Sequence, residues 1–259
     1  MRPGWHVATV AATHRETPNA ARLDLDVDGW PGNAAGQHLD VRLTAPDGYS
    51  ATRSYSIASS GPTMRVVLAV DKLPDGEVSP FLVDEVRAGD MLEVHGPLGA
   101  FFVWRPGGAG SGSAGSAGAA GSDRVDARPV QLIAGGSGVV PLYAIAQAHA
   151  DADDPAPFRL LYSARTPDDV YFADELRALA EASAPFRLDL VYSRRTPDGW
   201  PAPAGRITRE ALEAAVIPAA DRPLVYVCGS TGFVERVADW LVGLGHDTRS
   251  IRTERYGGT

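Results

Sequence analysis

"PVQLIAGGSGVVPLYAIAQAHA", residues 129–150, decides the fold. "PVQLIA" is a short apolar run that ends at Ala134. The glycines Gly135, Gly136 and Gly138 surround Ser137, and Pro141 then sits in the first turn of a helix running through Ala150. Strand, glycine turn and helix in that order form the opening unit of a parallel α/β sheet. Glycine lets the backbone approach a ligand closely, and a helix N-terminus offers unpaired N–H groups to phosphate. Positions 136, 138 and 141 read G-x-G-x-x-P, which differs from the G-x-G-x-x-G dinucleotide fingerprint. The turn alone also fits a plain tight corner; its place after the first strand of a parallel domain favours a ligand.

Downstream the alternation repeats. "FRLLYS" is followed by the helical "DDVYFADELRALAEA", and "RLDLVYS" by a loop and a helix from about Thr208. "PLVYVC" is followed by "TGFVERVADWLVGLG", with Val234, Val237, Leu241 and Leu244 on one face, and "TRSIRTE" closes as a last strand. Strands alternating with helices imply right-handed crossovers and a parallel five-stranded sheet covered on both faces.

Upstream the pattern has period two. "ARLDLDV", "QHLDVRL", "MRVVLAV" and "MLEVHG" alternate or run apolar between Gly and Pro turns, as in an antiparallel β-barrel or sandwich. In "DGEVSPFLVDEV", Ser79 before Pro80 reads as the N-cap of a short helix. Residues 107–122 are almost wholly Gly, Ala and Ser, a composition that cannot offset the entropy of ordering itself. The expected organisation is a β-barrel over 1–105, a flexible linker over 106–128 and an α/β nucleotide-binding domain over 129–259.

The totals exclude several functions. The net charge is -8 and Lys72 is the only lysine, so no basic stripe is present for nucleic acid or an anionic membrane. Cys228 is the only cysteine, which rules out an internal disulfide and a cysteine-ligated iron–sulfur cluster within this sequence. The N-terminus has no apolar signal core, and no apolar run reaches the roughly 20 residues that span a bilayer. The expectation is a cytoplasmic monomer. The six histidines show no metal-ligand spacing, and neither a G-x-S-x-G elbow nor a phosphate loop of the G-x-x-x-x-G-K type is present. Asp168 and Asp169 read as helix-capping carboxylates.

Four motifs occur in a definite order: "RSYS" at 53–56, "GEVS" at 76–79, "GGSGVVP" at 135–141 and "CGSTGF" at 228–233. In this order and context they resemble the ferredoxin–NADP reductase superfamily over residues 5–256. The ending "RTERYGG" is similar to that of its oxygenase-associated reductases. The resemblance implies FAD in the barrel, NADPH rather than NADH in the α/β domain, and a separate electron-acceptor protein, a ferredoxin or an oxygenase component. "SIASS" resembles the FAD-using members rather than the FMN-using branch.

The resemblance also assigns residues. The strand carrying Arg53, Ser54, Tyr55 and Ser56 would lie along the flavin. Arg53 would meet the pyrophosphate, as suits a guanidinium; Tyr55 would lie against the ring and Ser56 near flavin N5. Gly76, Val78 and Ser79 would form a second phosphate site. Gly135, Gly136, Ser137 and Gly138 would cradle the nicotinamide dinucleotide. Ser193 and Arg194, with Ser163 and Arg165 as a second pair, would meet the adenosine 2'-phosphate. Cys228 and Gly229 would stand beside nicotinamide C4, Glu254 would move a proton, and Tyr256 would cover a ring face. The residues alone also fit plainer roles: a cap for Ser79, a small buried hydrophobe for Cys228, a surface carboxylate for Glu254, a terminal residue for Tyr256 and a solvated loop for "SRR". The rival functions are a flavin reductase that releases its flavin, and a non-catalytic flavin-bearing interaction protein.

Overall fold

The computed structural model describes residues 4–106, 128–182 and 185–256. Two sheets follow one another along the chain. The first contains β1 (Gly4–Thr17), β2 (Ala20–Val27), β3 (His38–Thr44), β4 (Ser50–Ser56), β5 (Arg65–Asp71) and β6 (Met91–Leu98). They pair antiparallel in the order β4-β3-β6-β1-β2-β5. A bridge between Ile57 and Leu68 brings the two edge strands together and closes the barrel. The alternation seen in the sequence fills it: Leu23, Leu25, Leu39, Val41, Val66, Leu68 and Val94 point inward with no exposed surface. The strand β1 escapes a simple period-two reading. Gly4–Thr9 pairs with β6 and Ala8–Thr17 with β2, and irregularities between Val10 and Ala12 and between Arg15 and Thr17 interrupt the second pairing.

A helix, α1 (Ser79–Asp84), covers one end of the barrel with Leu82 and Val83. Here one expectation fails. The N-cap is Val78, and Ser79 is the first helical residue. The Ser79 hydroxyl instead accepts a hydrogen bond from the Leu73 backbone N–H at 3.0 Å. The loop before the helix folds beneath it, and satisfying that N–H fixes the serine inward.

The second sheet is parallel, as expected. It contains β7 (Val130–Gly135), β8 (Phe158–Ala164), β9 (Phe186–Tyr192), β10 (Leu224–Ser230) and β11 (Ile251–Tyr256), in the order β11-β10-β7-β8-β9. Helices α2 (Val139–Asp151) and α3 (Ala173–Ala182) cover one face, where Leu142 and Leu176 meet Leu132 and Leu160. Helices α4 (Arg209–Ala215) and α5 (Thr231–Gly243) cover the other, where Leu212, Val234 and Val237 meet Ile133 and Leu161. Adjacent residues Leu132 and Ile133 thus enter opposite cores, which is why these strands read as continuous apolar runs. Strand order reverses between β7 and β10, the position where open α/β sheets bind ligands beyond their carboxyl ends.

The two sheets share a core. Helix α2 is buried from Val139 to Ala146 because small barrel residues, among them Ala35 and Ala58, join the cluster that packs around it. Tyr143 stacks on Phe172 with centroids 4.0 Å apart, and the Arg22 guanidinium lies 4.9 Å over the Phe172 ring. Arg22 also pairs with Glu16 and with Glu175 of α3. At the other end, the Val103 carbonyl accepts hydrogen bonds from Tyr226 and Arg252. The expected linker falls, over residues 107–127, outside the described residues. No described helix is long and apolar enough to cross a membrane.

Phe172 therefore carries ring stacking, the cation contact and complete burial at the junction. Phe172→Ala is expected to cost about 3–5 kcal/mol. Urea unfolding measures it, and a loss below about 1 kcal/mol would mean that the junction does not stabilise the chain.

Candidate functional site

A cleft of about 750 Å³ opens where the carboxyl ends of β7, β8 and β9 face the barrel. Its floor is the glycine turn. Gly136 has φ +57, and a Cβ there would stand 2.9 Å from the Tyr256 hydroxyl. A Cβ on Gly135 would stand 2.9 Å from the Phe233 ring, and one on Gly138 only 2.4 Å from the Cys228 carbonyl oxygen. Gly138 thus excludes a side chain by backbone contact and Gly135 by the Phe233 ring, while Gly136 disfavours one through its positive φ. Gly138 caps α2 and Ser230 caps α5, and neither N-terminus has a side-chain cap. Both leave backbone N–H groups for an anion in the cleft.

The cleft is also lined by Arg165, Arg194, Arg206 and Arg236. Among the described residues, none of these four has a carboxylate at ion-pair distance. Arg22, Arg42, Arg53, Arg65, Arg177, Arg187, Arg195 and Arg249 each have at least one. The dipeptide "RR" is divided: Arg194 lines the cleft with Ser193, while Arg195 turns away to Asp168. Asp168 is thus an ion-pair partner; Asp169 accepts a hydrogen bond from the Thr166 hydroxyl. Backbone hydrogen bonds from Ser193 to Ala164 and from Arg194 to Arg165 hold the two strand ends together, so Ser163, Arg165, Ser193 and Arg194 share one wall. Arg206 and Arg236 were not legible in the sequence. One lies in an irregular loop and the other on the polar side of a helix, so neither has a spacing that ties it to the glycine turn.

On the barrel side, β4 divides its residues between two faces. Arg53 and Tyr55 lie opposite Val41 and Leu39, while Ser54 and Ser56 lie opposite Asp40 and His38. Tyr55 rests against the barrel core, and burial pushes its hydroxyl up to about 12. Arg53 is half exposed and pairs with Glu77 at 2.6 Å; the Tyr49 hydroxyl donates to the same carboxylate. Gly76 and Val78 flank Glu77. A Cβ at Gly76 would stand 3.0 Å from the Ser79 hydroxyl, so the loop is closely folded there. The Ser54 hydroxyl donates to Asp40 at 2.6 Å, which commits it to the face away from Arg53.

The two sheets meet at a third group of residues. Cys228 is buried at the end of β10, level with Glu254 on β11. Burial, with Glu254 beside it, pushes the Cys228 thiol well above its usual value, so it stays protonated. Burial also pushes Glu254 up to about 7. His38 Nδ1 approaches Glu254 Oε1 at 3.7 Å from the barrel side, beside Ser56. His38 Nδ1 and Glu254 Oε2 are buried without a hydrogen-bond partner. His38 carried no sequence signal beyond being a polar position in an alternating strand. Gly229 and Tyr256 complete this end: a Cβ on Gly229 would stand 2.7 Å from Phe233, and the Tyr256 hydroxyl donates to the Gly135 carbonyl at 2.6 Å.

These features fit the two cofactors that the sequence implies: a side-chain-free floor beneath two open helix ends with unpaired guanidiniums for a dinucleotide, and a separate arginine-and-tyrosine strand for a flavin. The comparisons agree. Residues 8–103 match the family described as oxidoreductase FAD-binding domain, and residues 132–239 match that described as oxidoreductase NAD-binding domain. The chain belongs to the ferredoxin reductase-like flavoprotein oxidoreductases. The glycine betaine monooxygenase reductase subunit of Chromohalobacter salexigens is 30% identical, over 86% of this chain and 56% of that protein. This ferredoxin reductase-like chain therefore spans little more than half the length of that curated relative. The Amycolatopsis cytochrome P450 reductase GcoB superposes with a TM-score of 0.80 at 26% identity, covering 98% of this chain and 70% of that one. The FAD/NAD-binding domain of nitric oxide dioxygenase from Vibrio cholerae has the same fold, with a TM-score of 0.80 at 23% identity, 98% of this chain and 99% of that one being covered.

The raised Glu254 value has a consequence for stability. Between its usual value of 4.5 and about 7, the folded chain holds a proton that the unfolded chain has lost. The resulting stabilisation is complete below about pH 4.5 and is lost as the pH rises through about 7. Glu254→Gln should remove that dependence. The stability difference between the two proteins should change by up to about 3 kcal/mol across the window, read by urea unfolding at stepped pH. Parallel stability curves would show that Glu254 titrates normally.

Proposed function

We propose that the chain is an FAD-dependent NADPH oxidoreductase that delivers electrons to a separate acceptor protein, a ferredoxin or an oxygenase component. When bound, FAD supplies the conversion of a two-electron exchange with nicotinamide into one-electron steps. In this reading the chain divides at its linker, with the barrel for FAD and the α/β domain for NADPH. Arg53 holds the FAD diphosphate by charge-assisted hydrogen bonds, helped by the backbone of Gly76 and Val78 beside Ser79. Tyr55 forms the wall against the ring, with Ser54 fixing the strand from behind. The turn Gly135–Gly138 and the N-terminus of α2 hold the nicotinamide dinucleotide. Ser56, Cys228, Gly229 and Tyr256 shape the end where the two rings approach, and Glu254 holds a proton there. The acceptor lies outside these 259 residues, since Cys228 alone cannot ligate an iron–sulfur cluster. The reductase subunit and the P450 reductase among its relatives favour an acceptor of the oxygenase type.

The observation that carries the choice of NADPH is the unpaired set Arg165, Arg194, Arg206 and Arg236 in a chain of net charge -8. An adenosine ribose bearing a free 2'-hydroxyl would need one acceptor carboxylate, whereas a 2'-phosphate uses several guanidiniums. A second reading, a flavin reductase that exchanges flavin as substrate, is favoured by the Glu77 carboxylate that already occupies Arg53. Retention of FAD through gel filtration separates the two.

The test is anaerobic mixing of the FAD-loaded protein with each nicotinamide, followed by bleaching of the flavin absorbance. NADPH should reduce it with the higher kcat/KM. Arg194→Ala and Arg206→Ala should each raise KM for NADPH about tenfold or more and leave that for NADH nearly unchanged. Equal use of both nicotinamides, or equal effects on both, would contradict the assignment. Arg53→Ala should weaken FAD binding about tenfold or more, while Ser56→Ala should retain FAD and slow its reduction. FAD binding and reduction unaltered in both variants would place the flavin elsewhere.

A further inference from the structure

Phe172 adopts the left-handed backbone region, with φ 52. A bulky residue keeps that conformation only where its surroundings over-determine it, and such positions point to a functional constraint. The surroundings here come from both sheets. The Phe172 N–H donates to Oε1 of Glu16 on β1, and its carbonyl accepts a hydrogen bond from the Leu176 N–H of α3 at 2.8 Å. Its ring is stacked on Tyr143 beneath the Arg22 guanidinium. The Glu16 side chain is only 4% exposed, and its Oε2 takes Arg22 at 2.7 Å. Arg22 in turn reaches Glu175 in the first turn of α3. A buried barrel carboxylate therefore has both oxygens committed, one of them to a backbone N–H of the α/β domain.

Phe172 ends a loop that begins in the cleft. Residues 165–172 join β8 to α3, and Arg165, Asp169 and Tyr171 of that loop line the cleft. At the start of the loop, the Arg165 carbonyl accepts the N–H groups of Arg194 and Arg195 at 2.9 and 3.2 Å, which ties it to the strand end carrying another cleft guanidinium. Inside the loop, the Thr166 hydroxyl donates to Asp169 at 2.7 Å. The Tyr162 hydroxyl of β8 accepts the Tyr171 N–H at 3.2 Å. A short loop tied in this way transmits a shift at Phe172 to Arg165 instead of absorbing it.

We propose that Glu16 is a positioning residue for the anion-binding wall: by holding Phe172 in its left-handed turn, the barrel carboxylate sets where Arg165 stands, and so how well the α/β domain holds a 2'-phosphate. This rests on the NADPH reading given above. Glu16 is not part of the cleft lining, so it acts only through the loop. Charge-assisted hydrogen bonds are short and directional, and a guanidinium displaced from the phosphate loses much of its contribution. NAD⁺ carries a free 2'-hydroxyl in place of that phosphate, makes little use of Arg165 and is insensitive to the displacement. The preference between the two nucleotides, expressed in one domain, is thereby set in part by a side chain of the other.

The test measures NADP⁺ and NAD⁺ binding to the FAD-loaded protein by calorimetry. Glu16→Ala should weaken NADP⁺ about tenfold, the scale of one hydrogen bond to a charged group, and NAD⁺ by less than about twofold. Glu16→Gln keeps an acceptor for the Phe172 N–H and should stay within about threefold of the unmodified protein for both nucleotides. Glu16→Met fills the same space without an acceptor and takes the place of the alanine variant should that one not fold. In a double-mutant cycle with Arg165→Ala, loss of Glu16 should cost no further NADP⁺ affinity. Equal weakening of both nucleotides, undiminished NADP⁺ affinity, or additive effects in the cycle would overturn the proposal. Hydrogen exchange read by mass spectrometry adds a readout that needs no nucleotide: Glu16→Ala should speed exchange across residues 165–172, and unchanged exchange there would also overturn it. Equal binding of NADP⁺ and NAD⁺ by the unmodified protein would instead count against the NADPH reading, and exchange across the loop would then judge the positioning alone.

Discussion

The contact of Gly138 with the Cys228 carbonyl fixes the geometry on which the site depends. With only 2.4 Å available to a Cβ, the start of α2 and the end of β10 can meet in this way only through glycine. That approach brings the uncapped N-terminus of α2, the Cys228 strand end and, through register, Glu254 and Tyr256 of β11 into one place. The turn works because α2 is held from both sides, by its own sheet and by small alanines of the barrel. A nucleotide floor and the junction of the two sheets are therefore products of the same packing.

Electrostatics complements this geometry. Eight of the described arginines outside the cleft pair with a carboxylate, and those largely exposed pairs add little stability individually. In the cleft four guanidiniums and two helix ends come together with no carboxylate at ion-pair distance from those guanidiniums, while Asp71 and Asp169 belong to the same lining. The four guanidiniums outnumber the two carboxylates of that lining, and the excess of positive charge draws an anionic ligand to it. The opposite arrangement holds where the sheets meet. There burial suppresses charge, pushing the Cys228 thiol and the Glu254 carboxyl up so that they keep their protons more readily, and pushing His38 down towards the neutral imidazole.

Much of this was legible in the sequence, for identifiable reasons. The parallel half was readable because its central strands β7 and β10 are buried on both faces and largely apolar, and because helices alternate with strands along it. The barrel strands β2 and β3 were readable because only one of their faces is buried. β1 was not, since it changes partner part-way and its irregularities break the alternation. Ser79 was read as a cap because the local pattern allows it; a contact with Leu73, created by the loop's fold, takes its hydroxyl instead. Arg53, Tyr55 and Arg194 were found through motifs, whereas His38, Arg206 and Arg236 reach the site only through tertiary folding. Arg195 shows the converse. It is adjacent to Arg194 in sequence, yet it turns to Asp168.

The central claim is that the barrel and the α/β domain hold different cofactors that meet where Ser56, Cys228 and Glu254 converge. Hydrogen exchange read by mass spectrometry tests it most directly, with FAD alone and then with NADP⁺ added to the FAD-loaded protein. FAD should slow exchange across residues 50–58 and 72–80 of the barrel. NADP⁺ should add protection at 135–142 and 193–207. Protection of the glycine turn by FAD, or no protection there by NADP⁺, would contradict the account.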